Sequence, residues 1–165
     1  MTVAYMLESR VPELPLPETI VYVHPGRTVT GANGDSYTSV VGSGVVVCVW
    51  DPVRGIGGMS HFLLPDSGNA PPAQRFGDVA LKSLVEQIGN LGGEVRRLRA
   101  RVYGGNAPPI AEGGMHLGDR NVQAALAFLS ANTILIMHRD LGGKIARKVV
   151  FNPRQGTAEM TYIGG

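Results

Sequence analysis

The alternation of apolar and polar positions divides the chain into short segments with turns between them. Val45-Val-Val-Cys-Val-Trp50 is continuously apolar and β-branched, the pattern of a strand covered on both faces. Asp51-Pro-Val-Arg-Gly55 turns it into a second run, Ile56 to Leu64. Upstream, Ile20 to Val23 is a short strand-like run closed by His24-Pro25-Gly26, and the turn cluster Gly31 to Ser36 precedes Tyr37 and Thr38. Downstream the period changes. Ala80 or Leu81, Leu84, Val85, Ile88 and Leu91 recur at helical spacing and stop at Gly92-Gly93, which predicts an amphipathic helix with a glycine terminus.

Val95 to Tyr103 returns to period two, with Leu98, Ala100 and Val102 inward and Arg97, Arg99 and Arg101 outward, a half-exposed strand. Val122, Ala125, Leu126 and Leu129 define a second helix capped by Asp119, and Ile134 to His138 a strand broken at Gly142-Gly143. Lys148–Phe151 and Thr157–Ile163 flank Asn152-Pro-Arg-Gln-Gly156 as a closing hairpin. Many short strands with only two helical crossovers favour an α+β sandwich over a doubly wound sheet. Residues 1–19, with prolines at 12, 15 and 17, lack either period and are expected to be an extended lead-in to a single domain over 20–165.

Composition narrows the function classes. Hydrophobic residues at 44% exclude a disordered chain, and 23 glycines without a short period imply many tight turns. A net charge of +2 is too small for the field that nucleic-acid binders use, so no nucleic-acid partner is expected. No run approaches the ~18 apolar residues of a membrane span, the first residues lack a signal-peptide pattern, and one cysteine fits a reducing compartment; the expected location is cytoplasmic.

Candidate chemistry is sparse. Gly42-Ser-Gly44 is followed by a strand and lacks a third glycine, so the dinucleotide fingerprint fails. Arginines 96, 97, 99 and 101 read as a solvated face that blunts edge pairing. Histidines 24, 61, 116 and 138 lack zinc-ligand spacing, and neither a metal nor a cofactor is called for. Cys48, inside the valine run, reads as a buried small hydrophobe rather than a nucleophile.

Taken in order, Val41 to Pro52, Gly57 to Pro65, Gly118-Asp-Arg-Asn121 and Asp140-Leu-Gly-Gly143 resemble the chemoreceptor glutamine deamidase family, CheD. His24-Pro-Gly26, Phe76-Gly-Asp78, Val102-Tyr-Gly-Gly105 and Arg147-Lys-Val149 extend the likeness from about Ile20 to Thr161. The resemblance implies a three-layer α/β/β sandwich and a Cys-His-Thr site that converts receptor glutamines to glutamate. A histidine-activated thiolate attacks the carboxamide, ammonia leaves with the imidazole proton, and water hydrolyses the thioester. It implies His61 as the base, Thr38 as its orienter and position 44 as the nucleophile, with chemoreceptor cytoplasmic domains and a CheC-type phosphatase as partners.

At position 44 this chain carries glycine. Cys48, four residues along the strand, is about 13 Å away at ~3.3 Å per residue, and strand alternation turns Ser43 to the opposite face. Gly44 leaves three readings: a natural loss of catalysis, an introduced substitution, or a register displaced by a bulge. The expectation is a CheD-like protein impaired in catalysis, with a non-catalytic docking module as the alternative.

Overall fold

The computed structural model describes residues 19–108 and 114–164. The 1–18 part of the expected lead-in lies outside the described residues. Among the described residues nine strands and two α-helices follow in the order β1 (Ile20–Tyr22), β2 (Arg27–Gly31), β3 (Ser36–Val41), β4 (Val45–Asp51), β5 (Ile56–Phe62), α1 (Gly77–Asn90), β6 (Arg99–Gly104), α2 (Leu117–Ala131), β7 (Leu135–Leu141), β8 (Ala146–Asn152) and β9 (Thr157–Ile163).

Two sheets and a helical layer form an α/β/β sandwich. One sheet has the order β1-β3-β8-β9 and the other β2-β5-β4-β6-β7. Every residue of β4 and β5 is buried, as the continuous apolar run of β4 requires of a strand with a layer on each side. Val45, Val47 and Val49 face α1 and α2, joining Leu81, Leu84, Ile88, Ala125 and Leu129. Val46, Cys48 and Trp50 face the other sheet, joining Tyr37, Val41, Met59, Tyr103, Val149 and Phe151. Alternation along one strand thus feeds two cores.

Several expectations are corrected. Arg27–Gly31 is an additional strand, antiparallel to β5, which one valine among Arg-Thr-Val-Thr-Gly did not signal. Val95–Arg97 is a 3₁₀ turn, and β6 begins at Arg99. Nor do the arginines form a solvated edge, because β6 pairs with β4 on one side and β7 on the other. Arg97 grips Asp51, and Arg101 donates to Gly156 O at 3.0 Å with its guanidinium over the Trp50 ring, whereas Arg96 stays in water. Asp119 is not the cap of α2: it sits in the first turn, where its carboxylate accepts from His116 N–H at 3.2 Å.

Candidate active site

The site is built where β4 begins, on the side facing the second sheet. Antiparallel pairing sets Val46 opposite His61 and Val45 opposite Phe62. Residue 44 lies two positions before Val46, so its side-chain direction is that of Val46 and His61, toward β3. An ideal Cβ on Gly44 would stand 3.1 Å from His61 Nε2 and 2.7 Å from Phe62 O. Position 44 therefore abuts Nε2 of the histidine, and Phe62 O stands so near that a side chain at 44 requires the backbone to shift.

His61 is 2% exposed and is held from both ends. Its backbone carbonyl accepts from Gly26 N–H at 2.8 Å, which explains the His24-Pro25-Gly26 turn: Gly26 has φ +80°, a conformation open to glycine. Its ring meets Ser39, whose Oγ is 2.8 Å from Nδ1 and 2.7 Å from Val23 O. The carbonyl can only accept, so the single hydroxyl hydrogen is committed to Val23 O and Nδ1 must carry a hydrogen to donate to Ser39. That assigns the tautomer and leaves the lone pair on Nε2, aimed at position 44. Burial lowers the His61 pKa to about 4, so the ring is neutral at pH 7.

Thr38, the orienter implied by the resemblance, is not on the imidazole. Its hydroxyl donates to Val149 O of β8 at 2.9 Å. The reason is alternation: Tyr37, Ser39 and Val41 point between the sheets, and Thr38 and Val40 point outward. The sequence carried that signal, since a polar residue stands between two inward apolar positions at 37 and 41.

The loop before β4 is fixed by three successive carbonyls. Gly42 O accepts from Asn106 N–H (2.9 Å), Ser43 O from Asn121 Nδ2 (3.0 Å) and Gly44 O from Gly105 N–H (2.7 Å). The Val102-Tyr-Gly-Gly105 and Gly118-Asp-Arg-Asn121 segments thus converge on one loop. Asn106 in turn accepts from buried Arg147, which also bonds Asp140 and Gly142 O. Local periodicity gives Asn121 and Arg147 no role, because Asn121 bonds carbonyls 78 and 58 residues away and Arg147 reaches Asn106, 41 residues back, across the fold.

The other candidates lie elsewhere. Ser43 is exposed, and Cys48 is fully buried, with desolvation pushing its thiol far up against the opposing charge of Arg101. His24 is exposed beside the Tyr22 ring, and His138 Nδ1 lies 3.3 Å from Tyr103 OH. Among the described residues no three His, Cys, Asp or Glu side chains are grouped to hold a metal. No helix among them is long and apolar enough to cross a membrane.

Residues 63–162 match the family model described as CheD chemotactic sensory transduction. The chain is 41% identical over 139 residues to a probable chemoreceptor glutamine deamidase of Anaeromyxobacter dehalogenans, covering 84% of this chain and 81% of that protein. It is 35% identical to a protein of the same description from Trichlorobacter lovleyi, over 82% of this chain and 85% of the relative. A chemoreceptor glutamine deamidase of Thermotoga maritima is 39% identical over 76% of this chain and 80% of its own length. With this coverage and the two-sheet sandwich behind it, the chain belongs to the CheD family.

Proposed function

We propose that this protein is directed at the cytoplasmic domains of chemoreceptors and retains the base half of a glutamine deamidase site, with turnover impaired because Gly44 supplies no nucleophile. The observation that carries this reading is the 3.1 Å between His61 Nε2 and a Cβ placed on Gly44. A side chain there would meet the one imidazole nitrogen that can accept its proton. In the deamidation that a cysteine at 44 would support, the Sγ–C bond forms as the C–N bond breaks. His61 passes the thiol proton to departing ammonia, and water then releases glutamate. Ser39 takes the orienting role through Nδ1, and Thr38 braces β3 against β8.

A second reading, a docking module for chemoreceptors or for a CheC-type phosphatase, is favoured by the packing of Phe62 O against Gly44, which leaves no room for a side chain without movement. One experiment separates the two. The native chain and its Gly44→Cys variant are incubated with a chemoreceptor cytoplasmic fragment, and glutamine-to-glutamate conversion is read by mass spectrometry. The deamidase reading expects silence from the native chain and conversion by the variant. Silence from both, with the receptor fragment still retained on the immobilised native chain, supports docking alone. Conversion by the native chain would overturn the placement of the nucleophile at 44.

A further inference from the structure

Asn121 is completely buried in the first turns of α2, where Ala125 and Leu129 continue the same inward face into the apolar core. Its Nδ2 donates to Ser43 O at 3.0 Å and to Leu63 O at 2.9 Å. Both partners are acceptors only, so the amide orientation is unambiguous: the nitrogen faces the two carbonyls. Its Oδ1 is then a buried acceptor with no hydrogen-bond partner among the described residues. A buried carboxamide with one end unsatisfied is a poor core side chain, and its presence calls for a specific explanation.

The two carbonyls supply it. Ser43 immediately precedes position 44, and Leu63 follows His61 by two residues. One NH₂ group therefore ties together the two strand ends that carry the two halves of the site. We infer that Asn121 is a positioning residue whose amide sets the separation between position 44 and the His61 imidazole. Other residue types do not serve. Aspartate has no donor, serine has one, and glutamine places its amide one carbon further out.

The inference rests on the reading of position 44 and His61 as one site, and the test keeps the two apart. In the full chain carrying Gly44→Cys, the rate of iodoacetamide alkylation is followed against pH, with the modified residue located by fragment ions within the peptide that carries both positions, so that buried Cys48 does not contribute. A thiol paired with His61 titrates below the ordinary value of ~8.5. Adding Asn121→Ala is expected to raise that titration by about one unit, a loss of roughly tenfold in alkylation rate near pH 7. Leu129→Ala, fully buried on the same helix, is the control: it lowers Tm and leaves the titration in place. Should Asn121→Ala fail to fold, Asn121→Ser keeps one donor and an intermediate shift is expected. An unshifted titration in a folded Asn121 variant overturns the inference alone. An ordinary titration in the Gly44→Cys parent, unchanged by His61→Ala, overturns the site reading and the inference with it.

Discussion

Ser39 Oγ lies 2.8 Å from His61 Nδ1, a hydrogen bond that crosses from the sheet of β3 to the sheet of β5. Because Ser39 spends its own hydrogen on Val23 O, Ser39→Ala leaves a buried carbonyl and a buried N–H unpaired together. The expected cost is about 1–3 kcal/mol in unfolding free energy, measured by urea denaturation at pH 7. Thr38→Val removes a single bond at a half-buried position and is expected to cost no more than about 1 kcal/mol. The reverse ranking would show that the Thr38–Val149 bond, not the Ser39–His61 bond, carries the larger share of the stability.

The pH dependence of stability has a sign fixed by His61. Burial lowers its folded pKa from 6.5 to about 4, so between those values the unfolded chain binds a proton that the folded chain does not. Stability is therefore full above the unfolded value and falls as the pH drops, by about 2 kcal/mol at pH 5 relative to pH 7. His61→Asn is expected to flatten the urea midpoint across this window. A slope unchanged by the substitution would show that another group titrates there.

These side chains also mark how far the sequence could be read. The continuous apolar run at Val45–Trp50 and the helical spacing from Leu81 to Ile88 encode burial directly, and both elements form as expected, whereas Leu91, read as the last residue of that face, follows the helix and is exposed. The valine run also let Cys48 be placed in the core. Arg97 and Arg101 depart from the expected solvated face because strand alternation reports which face a residue takes, not whether a carboxylate or a carbonyl waits on that face. Asn121 and Ser39 depend on carbonyls 58 and 16 residues distant, and such bonds exist only once the strands have paired. The resemblance singles out His61 and position 44, which the fold brings side by side, and local periodicity applied one residue past Thr38 points to Ser39 as the neighbour of His61 Nδ1.

Gly44 is expected to resist substitution even though its backbone φ lies outside the left-handed region. A Cβ there meets Phe62 O at 2.7 Å, which forces the ends of β4 and β5 apart. Gly44→Ala should cost about 1–3 kcal/mol through overpacking, read as a lowered denaturation midpoint with an unchanged m-value. Gly44→Cys bears the same strain, and its thiolate adds a negative charge beside Nε2 that should raise the His61 pKa. An NMR titration of the imidazole in the native and Gly44→Cys chains measures that shift directly. No shift in a folded variant would mean that the thiol and the imidazole do not face one another.

A buried carboxylate anchors the far end of β4. Asp51 is fully buried, and its carboxylate accepts Arg97 Nε at 3.0 Å and Nη2 at 2.8 Å together with the N–H groups of Val53, Arg54 and Glu94. Burial is the largest influence and opposes ionisation. The Arg97 bonds and the three backbone donors outweigh it and hold the carboxyl well below the usual range. A depressed folded pKa gives stabilisation that is present above the unfolded value near 4 and lost as the pH falls through the folded one. Arg97→Met retains the stem and removes the fork, leaving a buried carboxylate on backbone donors alone. The variant is expected to be less stable at pH 7, by less than the loss of a fully buried pair because the Arg97 side chain keeps 31% of its surface in water, and urea denaturation measures the difference. The gap between variant and native chain should narrow from pH 7 to pH 3, because the variant's carboxyl takes up a proton in that range while the native one stays ionised. Since His61 titrates alike in the two proteins, its contribution cancels from the difference. A gap that stays constant over that range would assign the role of Arg97 to packing against the β4–β5 turn rather than to its charge.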